Sequence, residues 1–126
     1  RAERRQRQMC IRDRAHADRV LVMEPAHLAD VYHTRPDAIG HSFTLGEFPT
    51  LLATAAPESV ESHDTPTERA RLRIALANDA RDPARILIDD DSTDIADPMG
   101  RLNMRYRHTA KQLQHLIEAT LDRLFP

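Results

Sequence analysis

Tryptophan is absent from this 126-residue chain, aromatic residues make up only 4%, and there are three glycines and one cysteine. With so few rings, any core must be built mainly from aliphatic side chains. A single cysteine excludes an internal disulfide and a cysteine-built zinc site. No apolar run approaches the roughly 20 residues that a membrane-spanning helix needs. An excess of one charge is missing too: 18 Lys and Arg stand against 20 Asp and Glu, for a formal net charge of −2. That balance offers no attraction for nucleic acid or an anionic membrane, and neither is expected as a partner. What is present, 40% hydrophobic and 30% charged residues, suits one soluble domain too small for an α/β barrel.

The beginning of the chain is rich in arginine and lacks the block of about 7–15 apolar residues that a secretory signal requires. The expected location is therefore the cytoplasm. Residues 1–16 read as a disordered or artefactual end. Their stretch RQRQMCIRDR resembles translated sequencing adapter, which puts the start of the protein proper near Ala15, with something upstream lost. Cys10 is the one thiol, and neither a Gly-rich turn nor a following apolar helix is there to lower its pKa.

From Ala17 onward the pattern predicts mixed α/β structure. Arg19–Met23 is a short apolar, β-branched run that reads as a buried strand. Pro25 suits the first turn of a helix running to about His33, with Ala26, Leu28, Ala29 and Val31 along one face. Arg35-Pro36-Asp37 and Gly40 end it, and His41–Leu45 alternates as a second strand. Two strands joined by a helix predict a parallel βαβ crossover. Phe48 to Asp64 reads as a surface excursion. Thr65-Pro66-Thr67-Glu68 then carries the signature of a capping box, opening a helix through Arg81. Ile86-Leu87-Ile88 is a brief apolar run before the acidic stretch Asp89–Asp97. Beyond Gly100, Leu102, Tyr106, Ala110, Leu113, Leu116 or Ile117, Leu121 and Leu124 recur at three- and four-residue steps. They predict one buried stripe on a long C-terminal helix.

Several motifs carry possible chemistry. Asp90-Asp91-Ser92-Thr93-Asp94 spells the D-D-x-x-D by which prenyltransferases hold Mg²⁺, and Asp89-x-Asp91-x-Thr93 resembles the opening of haloacid-dehalogenase-type phosphatases. The chain is too short to build the first, and too little of it remains after Thr93 for the second. A solvated acidic loop is the better reading. His27 and His33 are six apart and His108 and His115 seven apart, whereas helical zinc ligands are separated by about three or four. No metal and no cofactor is expected. Asp97-Pro98-Met99-Gly100 is more informative. Pro98 pushes Asp97 into an extended conformation and Gly100 lets the chain turn, so a carboxylate is held on a stiffened loop beside a helix start.

The order of four pieces resembles the low-molecular-weight protein-tyrosine phosphatases, chiefly their bacterial branch. They are the strand Asp18–Met23, the helix at His27-Leu28, the strand and L-G-E-F ending in Phe43–Phe48, and the D-P-x-G loop Asp97–Gly100 with Tyr106 nine residues after Asp97. The resemblance covers 17–126 as the C-terminal part of such a domain, with an insertion at about 49–94. It implies a doubly wound, flavodoxin-like fold with a four-stranded parallel sheet. It also implies hydrolysis of a phosphotyrosine protein or a small aryl phosphate through a cysteinyl-phosphate intermediate, with Asp97 as general acid. The family's nucleophile loop reads Cys-x5-Arg, but His16 stands where Cys10 would require the arginine, and Met99 stands where an aromatic residue is usual. The chain as given is therefore expected to be inactive. The alternatives are a catalytically dead α/β interaction or regulatory domain and, more weakly, an Mg²⁺-dependent phosphotransferase built on Asp89–Asp94.

Overall fold

The computed structural model describes residues 16–17, 19–54, 60, 64–86 and 95–126. The Arg-rich start with Cys10, and the acidic motifs of Asp89–Asp94, lie outside the described residues. Within them the chain is mixed α/β. Strand β1 (Val20–Val22) is followed by helix α1 (Pro25–Thr34), a 3-10 turn (Pro36–His41) and strand β2 (Ser42–Thr44). Helix α2 (Phe48–Thr54), helix α3 (Pro66–Ala80), a second 3-10 turn (Pro83–Ile86) and helix α4 (Asn103–Leu124) complete the order.

The two strands form a parallel two-stranded sheet with Val20 opposite Ser42, Leu21 opposite Phe43 and Val22 opposite Thr44. The crossover read from the sequence is thus present, and α1 buries Leu28 and Val31. β2 is buried at every position rather than alternating, because helices cover it on both sides. Its Ser42 side chain is satisfied by donating to the Ala38 carbonyl at 2.7 Å. Thr44 and Glu47 exchange reciprocal bonds across the turn that follows. The Thr44 N–H donates to Glu47 Oε1 at 3.0 Å, and the Glu47 N–H donates to Thr44 Oγ1 at 3.1 Å.

The expected excursion after Phe48 is not a surface segment where it is described. Phe48–Thr54 is helical, and Phe48, Leu52 and Val60 are buried. Phe48 stacks on Phe43 with ring centroids 4.5 Å apart, and these two rings seat Ile74, Ala77 and Leu124 around them. A core expected to be aliphatic therefore concentrates two of the chain's three phenylalanines at its centre. Capping of α3 follows the sequence signal: Thr65 accepts from the Glu68 N–H, and the Glu68 carboxylate accepts from the Thr65 N–H.

The stripe expected on α4 is only half covered. Leu113 and Leu116 are half-buried and Leu124 is buried, but Leu102, Tyr106, Ala110, Ile117 and Leu121 are exposed. Thr109 and Thr120 occupy buried positions instead. The apolar arc is wider than the contact that α2 and α3 offer, so the helix turns one flank of it inward and leaves the other outside.

Arg81, just after α3, is 6% exposed and crosses to the sheet. Its guanidinium donates to the carbonyls of Ser42 at 2.6 Å and Ile39 at 2.7 Å and to Asn78 Oδ1 at 2.6 Å, with its Cζ 4.5 Å from the Phe43 ring centroid. Burial lowers its pKa, an effect that Glu47, 3.8 Å away, partly opposes. Replacing Arg81 by Met leaves two strand and turn carbonyls without a donor inside the protein. The expected loss of stability is about 3 kcal/mol, read as a lower urea midpoint. A loss below about 1 kcal/mol would show that water replaces the guanidinium without difficulty.

Candidate functional site

The loop before α4 is shaped by its own residues. Asp97 Oδ1 accepts from the Met99 N–H at 2.9 Å, closing an Asx turn. Gly100 has φ of +72°, a left-handed conformation that a residue with a Cβ adopts only at a cost. The Arg101 N–H donates to the Pro98 carbonyl at 2.9 Å, completing the turn into the helix.

Two further bonds pin this loop to the fold. Ile95 is buried, and its N–H donates to the Met23 carbonyl at 3.2 Å, immediately beyond β1. On the other side Thr109, a buried residue of α4, donates from Oγ1 to the Ala96 carbonyl at 3.4 Å. Asp97 is thereby held, exposed, at the C-terminal end of a parallel strand. Binding sites of open α/β sheets gather at that end, because the loops there face a common crevice.

The placement also orders the neighbourhood of β1. The Val22 carbonyl accepts from the Leu45 N–H on the β2 side, at 2.8 Å, while the next carbonyl, that of Met23, accepts from Ile95. Ile95 therefore meets the chain at the residue just past the C-terminal end of β1. A groove of about 280 Å³ runs along β1, lined by Leu21, Met23, His27 and Asp30 among others. Leu21 is 44% exposed there, which is high for the middle residue of a strand.

The other residues singled out in the sequence fall away from this loop or stay peripheral. His27 lies on α1 beside Glu24, with 3.9 Å between Nε2 and Oε1. Met99 is 78% exposed and Tyr106 46% exposed. His108 and His115 are both exposed on α4. Among the described residues, no three His, Cys, Asp or Glu side chains come together as a metal site would need. No helix of the described residues is long and apolar enough to cross a membrane. What sequence reading missed is the pair of anchors, Ile95 and Thr109. A threonine among the first turns of an amphipathic helix is the only local signal for the second.

The Asp97 side chain is exposed, and its Oδ1 is committed to the backbone of its own turn. Asp97→Asn keeps an acceptor for the Met99 N–H, whereas Asp97→Ala does not. Amide exchange at Met99 is expected to stay slow in the first variant and to accelerate severalfold in the second. Equal rates would show that the turn is held by Pro98 and Gly100 alone. No family model matches the chain, and neither does any curated protein or solved structure searched.

Proposed function

We propose that this chain is the C-terminal part of a low-molecular-weight protein-tyrosine phosphatase of bacterial, cytoplasmic type, in which Asp97 is the general acid. The observation that carries the reading is the pinning of the Asp97 loop to the C-terminal end of β1 through Ile95 and Met23. A parallel βαβ crossover precedes it in the chain order that the resemblance requires. In this reading a cysteine thiolate attacks the phosphorus of a phosphotyrosine or small aryl phosphate, and the P–O bond to the phenol breaks. Asp97 delivers its proton to the departing phenolate oxygen, and its carboxylate then takes a proton from the water that opens the cysteinyl-phosphate. Neither metal nor cofactor takes part.

The nucleophile must come from a Cys-x5-Arg loop ahead of Ala17, and the 126 residues contain no such spacing. The strand carrying that loop belongs, by the resemblance, on the open flank of β1, where Leu21 is exposed and the groove runs. With it the sheet becomes part of a four-stranded, flavodoxin-like one.

A second reading, a catalytically dead interaction domain, is favoured by the uncovered flank of α4, where Tyr106, Ile117 and Leu121 are exposed. The upstream reading frame separates the two: a Cys-x5-Arg loop there means enzyme. An Mg²⁺-dependent phosphotransferase on Asp89–Asp94 is the weakest reading, and activity surviving excess chelator would exclude it.

The chain as given is expected to show no turnover of an aryl phosphate, and a rate abolished by Cys10→Ser would overturn that. In a protein that carries the Cys-x5-Arg loop, Asp97→Ala should lower kcat by roughly 10²–10⁴-fold with KM little changed. The loss should be greater on phosphotyrosine than on para-nitrophenyl phosphate, whose leaving group departs without help. Equal losses on both substrates would mean that Asp97 only shapes its loop.

A further inference from the structure

Along α4 the residues that the body leaves uncovered follow a pattern of their own. Tyr106, Ala110, Ile117 and Leu121 are exposed, although they share one stripe with the half-buried Leu113. Positions just before three of them turn toward the body: Thr109 and Thr120 are buried and Leu116 is half-buried. The position just after each of the four is charged and exposed, as Arg107, Lys111, Glu118 and Asp122. One position is about 100° around an α-helix. The four charges therefore share the flank of the stripe that faces away from the body.

Both sets are spaced symmetrically. The apolar residues pair about a point between positions 113 and 114, Tyr106 with Leu121 and Ala110 with Ile117. The charged residues pair about a point between positions 114 and 115, Arg107 with Asp122 and Lys111 with Glu118. These points are about 1.5 Å apart along the axis, a distance that long Arg and Lys side chains absorb. In each charged pair the N-terminal member is the cation and the C-terminal member the anion. A copy of the helix laid antiparallel on the first thus sets apolar against apolar and cation against anion. The two-fold axis of such a pair keeps the charged flanks of both copies on one side. Parallel pairing would instead set Arg107 beside Arg107 and Glu118 beside Glu118. The Glu118 carboxylate accepts from Gln114 Nε2 at 2.8 Å within its own helix, and its other lone pairs serve a second donor.

We propose that α4 is the contact surface of a symmetric homodimer, packed antiparallel on α4 of a second copy of this chain. Tyr106 and Ala110 meet the partner's Leu121 and the partner's Ile117, and the ion pairs Arg107–Asp122 and Lys111–Glu118, each formed twice, close the open flank. A single helix pair in contact over about 22 Å falls below the roughly 1,200 Å² of a standard interface, so the dimer is a weak one, with Kd on the order of 100 µM. The proposal is independent of the hydrolase reading, since it uses no residue of the Asp97 loop, and it gives the interaction-domain reading a partner.

The test is sedimentation equilibrium of the 126-residue chain from about 10 µM to about 1 mM, a range that brackets the expected affinity. The mass should rise from that of one chain toward that of two and level there. Ile117→Asp, at an exposed position, should keep the helix content of the parent and hold the chain monomeric. Lys111→Glu sets like charges together twice and should weaken the dimer about tenfold, and adding Glu118→Lys should restore it. A monomer throughout the range would overturn the proposal and leave the interaction-domain reading standing with a different partner. Self-association that persists in Ile117→Asp but is lost in Leu21→Lys would put the contact on β1 and overturn it too. So would growth beyond two chains, or a Lys111→Glu loss that Glu118→Lys fails to recover.

Discussion

Two phenylalanines and two arginines in successive contact hold the described fold together. The Arg81 guanidinium lies against Phe43, Phe43 stacks on Phe48, and Arg19 lies against Phe48. A ring face is electron-rich, so a cation beside it recovers part of the hydration lost on burial. In a chain with no tryptophan this cluster supplies much of what large aromatic side chains give other cores. Its geometry also ties elements together. Phe43 belongs to β2, Phe48 opens α2, Arg19 leads into β1 and Arg81 follows α3. Two hydrogen bonds from Arg81, to the carbonyls of Ile39 and Ser42, then fix the end of α3 to the 3-10 turn and the sheet, and a third ties the guanidinium to Asn78 of α3 itself.

Another arginine performs a similar service from the middle of α3. Arg73 is 8% exposed, and its Nη1 donates to the Leu124 carbonyl at 2.9 Å. The last turn of a helix has carbonyls without intrahelical partners, and a cation there satisfies both a hydrogen bond and the helix dipole. α4 is thus anchored at its C-terminal end by Arg73 and near its N-terminal end by Thr109, and lies over α2 between them. These anchors set its rotation. They leave Tyr106, Ile117 and Leu121 outside, although the 3.6-residue period puts them beside the half-buried Leu113 and Leu116.

The two ends of β1 have different characters. Beyond its C-terminal end a carboxylate is fixed on a turn that its own side chain helps to close. Before its N-terminal end, basic side chains from the strand lead-in, the 3-10 turn and α3 surround a recess. Parallel strand polarity is what keeps them apart, since both strands start at one end of the sheet and finish at the other.

Local signals in the sequence determined the elements whose cause is local. Thr65 and Glu68 spell a capping box and form one, Pro25 opens α1, and the apolar runs flanking α1 pair as a parallel crossover. Pro98 and Gly100 likewise mark a turn bearing Asp97, and the turn is there. The partners were decided by tertiary structure. Nothing near Arg81 in sequence signals that it will cross to Ser42, 39 residues back, because an arginine after a helix is normally a solvated terminus. Phe48 sits in a proline-bearing stretch and is buried where Phe43 offers a ring to stack on and Leu52, Ile74, Ala77 and Leu124 join the same cluster. Periodicity found the stripe of α4 but not which flank would be covered, since a helix records its apolar arc while the neighbours supply the contact. The recess at Arg19, His41 and Arg71 had no sequence signal at all. Its residues are separated by 22 and 30 positions, and only the packing of α3 beside the start of the sheet brings them to one cavity.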